Sequence, residues 1–150
     1  MSEQSSQEVH VPVKVKWKGA LVTDTEIGDF KISMDTPSHE KQKGKSVGPS
    51  ATELFLAALG RCTLVSILKS AENKGISIKD LSLELIGKLK KREYGEQKIH
   101  DSVWVYFTIE KNLDIVAGTD KRKIAEIIRD SHKYCTVGIA IENSILGDFT

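Results

Sequence analysis

Hydrophobic and polar residues alternate through the first part of the chain. In VHVPVKVKWKG, residues 9–19, the valines and Trp17 share one face, while His10, Pro12 and the lysines share the other. This period of two predicts a half-exposed strand, and Pro12 is typical of a sheet edge. Weaker patterns predict two shorter strands over residues 20–26 and 30–34, followed by an exposed loop over residues 36–48.

A long helix is predicted from Ala51 to about Asn73. Ser50 stands three residues before Glu53, which is the capping-box spacing of a helix start, and Gly75 can close the helix. Residues 54–59 are apolar on every side, a pattern typical of a buried helix. Gly60 costs about 1 kcal/mol relative to Ala, which favours a second backbone packed close to it.

The all-round apolar helix also bears on the assembly. A single chain of this size covers only one face of such a helix, and a large uncovered apolar face marks an interaction surface. The pattern therefore predicts a homodimer in which this helix is buried between the subunits.

The second half of the chain predicts a hairpin and further helices. Two long alternating segments, about 81–91 and 103–109, predict paired strands with a charged tip. A helix over residues 120–133 follows, with Thr119 or Asp120 as its cap; Gly138 interrupts or re-caps the chain after it. A short helix near residues 139–142 and a strand near 145–149 complete the pattern. The order of elements favours an α+β fold, with a loose tail at 1–8 and a single domain over 9–150.

Charge and composition exclude several classes of protein. The formal net charge is +1, which gives no reason to expect nucleic acid or an anionic membrane as a partner. No apolar run approaches the roughly 20 residues of a membrane span. The first residues, MSEQSSQE, lack the basic and apolar regions of a signal peptide. We therefore expect a cytoplasmic protein, where a permanent structural disulfide is disfavoured but a transient one is allowed.

Two cysteines, Cys62 in the long helix and Cys135 near a helix end, are the candidate chemistry. By position alone, the first interpretation of Cys62 is a buried core residue without chemical function, ahead of a redox role. Position alone also predicts that Cys135 is more exposed than Cys62. His132 could join Cys135 as a metal pair or as a base, but two cysteines without C-x-x-C disfavour both zinc and a thioredoxin-like oxidoreductase. Cys62 lies mid-helix, away from the positive end of the helix dipole, so a reactive thiolate there needs a packed cation or a second subunit.

The motif GPSATELFLAALGRC at 48–62, followed by SHKYCTVGIAIENS from residue 131, resembles the OsmC/Ohr superfamily. Its founding groups are the osmotically inducible protein C and the organic hydroperoxide resistance proteins. The resemblance covers residues 10–149 and is nearest to the OsmC-like branch. It implies antiparallel sheets around a long buried central helix, in an intertwined homodimer with a site at each subunit interface. It also implies no metal or organic cofactor.

The resemblance further implies a thiol peroxidase that reduces organic hydroperoxides in oxidative-stress defence. Cys62 matches the peroxidatic cysteine and Cys135 the resolving one, and a dithiol reductant completes the cycle. A glutamate that polarises the peroxide stands ten residues before the first cysteine in the family; here that position is Thr52, and Glu53 is one step along. Glu53 is therefore a candidate for this role, although its capping-box role comes first.

The N-terminal strands also lack the arginine of the well-studied hydroperoxidases, since the first arginine in the chain is Arg61. This departure leaves open a second function. The chain could be a catalytically weak OsmC-like dimer that binds an apolar ligand or a partner.

Overall fold

A computed structural model describes residues 8–35, 46–92 and 103–143. The fold is mixed α+β with antiparallel sheets, as predicted, and the chain divides into two compact units, Met1–Leu54 and Phe55–Thr150. The predicted single domain over 9–150 stays a prediction, and the tail before residue 8 lies outside the described residues. In chain order the elements are β1 (Lys14–Gly19), β2 (Val22–Ile27), β3 (Phe30–Met34), α1 (Ala51–Asn73), β4 (Ile78–Arg92), β5 (Val103–Ala117), α2 (Lys121–Ser131) and α3 (Thr136–Asn143).

The first unit is an antiparallel meander in the order β1-β2-β3. Strand β1 begins at Lys14, later than the alternation predicted, and it is an edge strand as expected. Its apolar face is not covered within the chain, because Val15 and Trp17 are 59% and 71% exposed. The prediction of a half-exposed strand is therefore wrong for the single chain, in which both faces of β1 meet solvent.

Helix α1 starts with the predicted capping box. The Glu53 N–H donates to Ser50 Oγ at 3.2 Å, and the Ser50 N–H donates to Glu53 Oε2 at 2.6 Å. Just before it, a Cβ placed on Gly48 would lie 1.8 Å from the Ser33 carbonyl oxygen, so only glycine fits there. The chain therefore enters α1 beside β3.

The other end of α1 closes as a Schellman motif. Gly75 has φ +64°, its N–H donates to the Glu72 carbonyl, and the Ile76 N–H donates to the Ala71 carbonyl. Both predicted bounds of α1 are therefore confirmed, because each is set by local capping chemistry.

The core of the second unit lies between α1, the β4–β5 hairpin and α2. Ile67 and Ala71 of α1 pack with Ile127 of α2. They are covered by Ile76, which precedes β4, and by the base of the hairpin through Ile78, Leu81, Leu113 and Ile115. The hairpin is confirmed, and its predicted tip lies outside the described residues. Close packing at Gly60 involves a side chain rather than a backbone, since a Cβ there would lie 3.3 Å from Leu85 Cδ1.

Only one face of α1 is buried within the chain. Leu59, Ser66, Ile67, Ser70 and Ala71 are buried, whereas Phe55 and Leu68 are exposed. The prediction of burial on all sides is therefore not met by a single chain.

By length and hydropathy α1 is also the one helix among the described residues that could cross a membrane. The expectation that no segment is apolar enough for this is wrong on those two criteria, because the occasional polar residues of α1 do not offset its leucines and other apolar residues. The core helix of a soluble protein meets the same criteria, and this finding leaves the class of protein unchanged.

The last helical region differs from its prediction. Asp120 caps α2, as expected, by accepting the Lys123 N–H at 3.0 Å. A 3₁₀ turn, His132–Tyr134, follows α2, and α3 then begins directly after Cys135. Gly138 lies inside α3 rather than interrupting the chain. The predicted strand at 145–149 lies outside the described residues.

Two polar contacts join the end of α1 to the segment that leads to Cys135. The Asn73 side chain donates to the Tyr134 hydroxyl at 2.8 Å, and Lys74 Nζ pairs with Asp130 Oδ2 at 2.8 Å. This hydrogen-bonded ion pair lowers the pKa of Asp130 and raises that of Lys74. Both contacts hold the end of α2 and the 3₁₀ turn against α1.

Candidate thiol site

The structure places the two cysteines side by side within the second unit. Cys62 projects from the middle of α1, and Cys135 lies between the 3₁₀ turn and α3; both are free thiols. The two thiols influence one another's pKa, and Cys62 Sγ lies 3.8 Å from Thr136 Oγ1, which belongs to the residue after Cys135. The sulfurs are therefore neighbours in space although they are far apart in sequence.

The N-terminus of α3 surrounds both sulfurs with donors. Cys135 is the residue before the helix: its carbonyl accepts the Ile139 N–H, and its Sγ accepts the Gly138 N–H at 3.3 Å. The backbone N–H groups of Val137 and Thr136 act on Cys62 and lower its pKa. These N–H groups have no partner within the helix, and the positive end of the helix dipole favours negative charge. The arrangement is suited to holding a thiolate.

The surroundings shift the two pKa values in opposite directions. Burial raises the pKa of Cys62, but the donors at Val137, Cys135 and Thr136 outweigh it and lower the pKa below its usual value. Burial raises the pKa of Cys135, the Gly138 N–H lowers it, and the interaction with Cys62 raises it again, so that it ends above its usual value. Cys62 therefore ionises first, and Cys135 stays protonated beside it.

Exposure of the two thiols is the reverse of the prediction. Cys62 is half-buried, whereas Cys135 is only 7% exposed. The reason is local: Cys135 turns its sulfur inward to cap α3, where it also contacts Thr63. The prediction assumed that a residue near a helix end faces solvent.

The donors on α3 were missed by the sequence analysis, which expected a cation or a second subunit to activate Cys62. Its short-helix prediction began at residue 139, so the free N–H groups of Thr136 and Val137 were not considered. The available signal was Gly138, three residues after Cys135, which is the spacing between a capping side chain and the N–H that it accepts.

We expect Gly138→Ala to slow the closure of a Cys62–Cys135 disulfide. An added Cβ would lie 3.0 Å from Cys135 Sγ, so the sulfur must move, even though alanine favours the helix by up to about 1 kcal/mol. Timed alkylation of free thiols after oxidation measures the closure rate. Ala140→Gly, which alters α3 without touching Cys135 Sγ, is the control; equal closure rates in wild type and Gly138→Ala would contradict the prediction.

The remaining predicted residues have other surroundings. Glu53 takes part in the capping box, and its role toward a peroxide stays a prediction. His132 is exposed and lies in the 3₁₀ turn before Cys135. Within residues 8–35, 46–92 and 103–143, no group of three or more His, Cys, Asp or Glu side chains could hold a metal ion.

A cavity of about 250 Å³ adjoins Cys135 in the second unit. Its walls come from α1, the hairpin, α2 and α3, and are mostly apolar. Lys111, His132 and Glu142 give it a polar rim, since all three are exposed. Cys62 is not among its described lining residues, whose apolar members are Leu59, Ile67, Leu83, Leu113 and Ile128.

Comparison with known proteins defines the class. The family model for OsmC-like proteins matches residues 39–148, and the chain therefore belongs to the OsmC-like family. The resemblance found in the sequence is confirmed. No curated protein matches the chain.

Several solved structures share the fold. An OsmC-like protein from Mycoplasma pneumoniae is similar at 18% identity, with 92% of this chain and 91% of that one covered and a TM-score of 0.70. An OsmC-like protein of unknown function from Vibrio cholerae is also 18% identical, covering 90% and 95%, with a TM-score of 0.65. The organic hydroperoxide resistance protein OhrB of Bacillus subtilis is 20% identical, covering 91% and 93%, with a TM-score of 0.60.

Proposed function

We propose that this protein is a cytoplasmic thiol peroxidase that reduces organic hydroperoxides in oxidative-stress defence. One observation carries the proposal: the adjacent thiols are polarised, with Cys62 favoured as thiolate and Cys135 as thiol. The two states are those that a nucleophile and a resolving thiol require. Similarity to proteins named for organic hydroperoxide resistance adds support.

The proposed reaction runs in two steps. The Cys62 thiolate attacks the terminal oxygen of the hydroperoxide, the O–O bond breaks, and the alkoxide takes a proton and leaves as an alcohol. Cys62 is then a sulfenic acid, and the Cys135 sulfur attacks it, forming the disulfide and releasing water. The peroxide gains the two electrons that the thiols lose. Glu53 polarises the peroxide in this scheme, and a dithiol reductant restores the thiols.

Mass spectrometry of the reduced protein before and after one equivalent of cumene hydroperoxide tests the proposal. We expect a rapid mass loss of two hydrogens, mapped by peptide analysis to a Cys62–Cys135 bond. Protein alkylated at its thiols beforehand serves as the control and should not change mass. Thiols that stay reduced in the presence of the peroxide would contradict the proposal.

Apolar surface left uncovered by one chain supports a homodimer. An open groove along α1 is lined by Leu56, Leu64, Val65, Leu68 and neighbouring residues, and β1 presents Val15 and Trp17 to solvent. A second copy that covers these surfaces accounts for the all-round apolar sequence of α1. We expect a dimer in sedimentation at micromolar concentration, and Leu68→Glu to weaken it; monomer alone for the wild type would contradict this.

A second function, binding of an apolar ligand without catalysis, is favoured by one observation, the apolar cavity beside Cys135. The same mass-spectrometric experiment separates the two functions. Unreactive thiols, together with a rise in melting temperature when an apolar ligand is added, favour the binding function.

A further inference from the structure

The two thiols are a pair of soft ligands as well as a redox pair. Cys62 and Cys135 are both free, and each shifts the pKa of the other. Cys62 Sγ lies 3.8 Å from the hydroxyl of Thr136, the residue after Cys135. Thiolate sulfur is polarisable and binds soft cations such as Cu(I). Two thiols that separate segments of the fold bring side by side can therefore act as ligands to one ion.

The number of ligands selects the kind of ion. Across residues 8–35, 46–92 and 103–143, no third His, Cys, Asp or Glu side chain joins the two thiols in a group that could hold a metal. Structural zinc takes four ligands in a tetrahedron, and Ca²⁺ and Mg²⁺ require several oxygen ligands. Cu(I) and Ag(I), by contrast, are closed-shell ions that form linear complexes with two sulfurs. The pair therefore favours a soft monovalent ion.

The start of α3 is suited to the charge of such a complex. Two thiolates and one Cu(I) ion carry one net negative charge, which free N–H groups and the positive end of a helix dipole stabilise. Cys135 Sγ accepts the Gly138 N–H at 3.3 Å, and the Thr136 hydroxyl faces Cys62 Sγ. Outer donors of this kind orient the ligands of a metal site. Here the first turn of one helix supplies them for both sulfurs.

A bound cation also changes the balance between the two thiols. Burial and the neighbouring Cys62 raise the pKa of Cys135. A positive ion between the sulfurs offsets the second of these effects, so that both sulfurs can be thiolates while the ion is bound. Binding therefore releases protons, as it does wherever a metal replaces the hydrogen of a thiol.

The burial of the two sulfurs gives an ion access from one side only. Cys62 is half-buried, so a molecule that delivers a metal ion can reach it from solvent. Cys135 is only 7% exposed and lines the mostly apolar cavity. Apolar surroundings limit the access of water to a metal site. The site is therefore open for loading at Cys62 and shielded behind Cys135.

We propose that Cys62 and Cys135 bind one Cu(I) ion between their sulfurs, in a linear two-coordinate site. No electron is transferred in this step: two Cu–S bonds form and the thiol protons leave to solvent. The site goes beyond the proposed peroxidase function, because it requires only the reduced thiols. Metal and peroxide then compete for Cys62, since a sulfur bonded to Cu(I) is no longer a free nucleophile.

Competition with a coloured chelator measures the binding. Reduced full-length protein is titrated without oxygen, with ascorbate present and no added thiol, against the Cu(I) complex of bicinchoninate. We expect the protein to remove one Cu(I) ion per chain, and the loaded protein to resist alkylation of Cys62 by iodoacetamide. A chain that takes no copper from the chelator, or that is alkylated at the same rate with and without copper, overturns the proposal.

Single variants test the ligands. Cys62→Ser and Cys135→Ser should each lower the affinity for Cu(I) by more than about 100-fold, the largest usual cost of losing an outer donor, because each leaves one sulfur. His132→Gln is the matched control, since His132 lies three residues before Cys135 and lines the same cavity. It should bind as the wild type does, with circular dichroism checking each fold. A loss in His132→Gln as large as in the cysteine variants would mean a third ligand and overturn the two-coordinate site.

X-ray absorption at the copper edge keeps the test independent of variants. Wild-type protein loaded with one equivalent of Cu(I) should show two sulfur neighbours and the edge feature of linear coordination. A spectrum with three neighbours, or with nitrogen or oxygen in place of sulfur, overturns the proposed site.

The two proposals fail separately. Protein that binds no Cu(I) but forms the Cys62–Cys135 disulfide with cumene hydroperoxide overturns the metal site alone. Protein that binds Cu(I) at both sulfurs but does not react with the hydroperoxide overturns the peroxidase alone.

Discussion

Cys62→Ser should abolish hydroperoxide reduction, and Cys135→Ser should stop the reaction after its first step. A serine hydroxyl does not ionise at neutral pH, so Cys62→Ser has no anionic nucleophile beside the donors of α3. In the second variant Cys62 still attacks the peroxide, but its sulfenic acid has no thiol beside it. It then persists or proceeds to sulfinic acid with excess peroxide.

The effect of Cys62→Ser is measured as the rate at which cumene hydroperoxide is consumed in the presence of a dithiol. This rate should fall to that of the reaction without protein. Dimedone, which labels sulfenic acids, should mark Cys62 in Cys135→Ser and nothing in Cys62→Ser. Thr63→Ser, which keeps a hydroxyl next to the thiols, is a control expected to retain most activity. If Cys62→Ser consumed the hydroperoxide at the wild-type rate, the Cys62 thiol would not be the nucleophile.

Thr136→Pro should slow the reaction of Cys62 at neutral pH about tenfold. Thr136 is the first residue of α3, where proline is tolerated, and Cys135 before it has φ −89° and ψ 88°, outside the helical region that proline disfavours. The substitution removes both the N–H and the hydroxyl that face Cys62. One hydrogen bond to a charged group contributes about 1.5 kcal/mol, which corresponds to roughly one pKa unit.

Alkylation of Cys62 by iodoacetamide as a function of pH measures this change. Because the surroundings lower the pKa of Cys62, the wild-type rate should rise with pH to a midpoint below that of an ordinary cysteine thiol. Thr136→Pro should move the midpoint upward. Thr136→Val, which removes only the hydroxyl at 3.8 Å, should move it less. An unchanged midpoint in Thr136→Pro would mean that Thr136 does not stabilise the thiolate.

Elements bounded by local chemistry were predictable from the sequence. The capping box at Ser50 and the glycine at position 75 define α1, and alternating residues define the β4–β5 hairpin. The start of α3 was not predictable in this way, because Cys135 is an unusual cap and the preceding 3₁₀ turn breaks the helical period. Burial of β1 was also misjudged, since alternation shows which face is apolar but not what covers it.

The chemistry of the site depended on tertiary contacts. The motifs at 48–62 and 131–144 singled out Cys62 and Cys135 through a family resemblance, while helical position alone favoured filler for Cys62. The pKa of Cys62 is lowered by the Val137 N–H, the Cys135 thiol and the hydroxyl and N–H of Thr136, which the packing of α2 against α1 brings to it. No pattern within α1 contains that information.

The contacts of Asn73 with Tyr134 and of Lys74 with Asp130 also have a kinetic meaning. They restrain the segment that carries Cys135, so the entropy of bringing the two sulfurs together is lost during folding rather than during the reaction. Well-oriented intramolecular groups reach effective concentrations of roughly 10⁵ M or more, far above any thiol dissolved in a cell. In the proposed peroxidase reaction, we therefore expect Cys135 to capture a Cys62 sulfenic acid before a second peroxide molecule can react with it, which would protect Cys62 from over-oxidation.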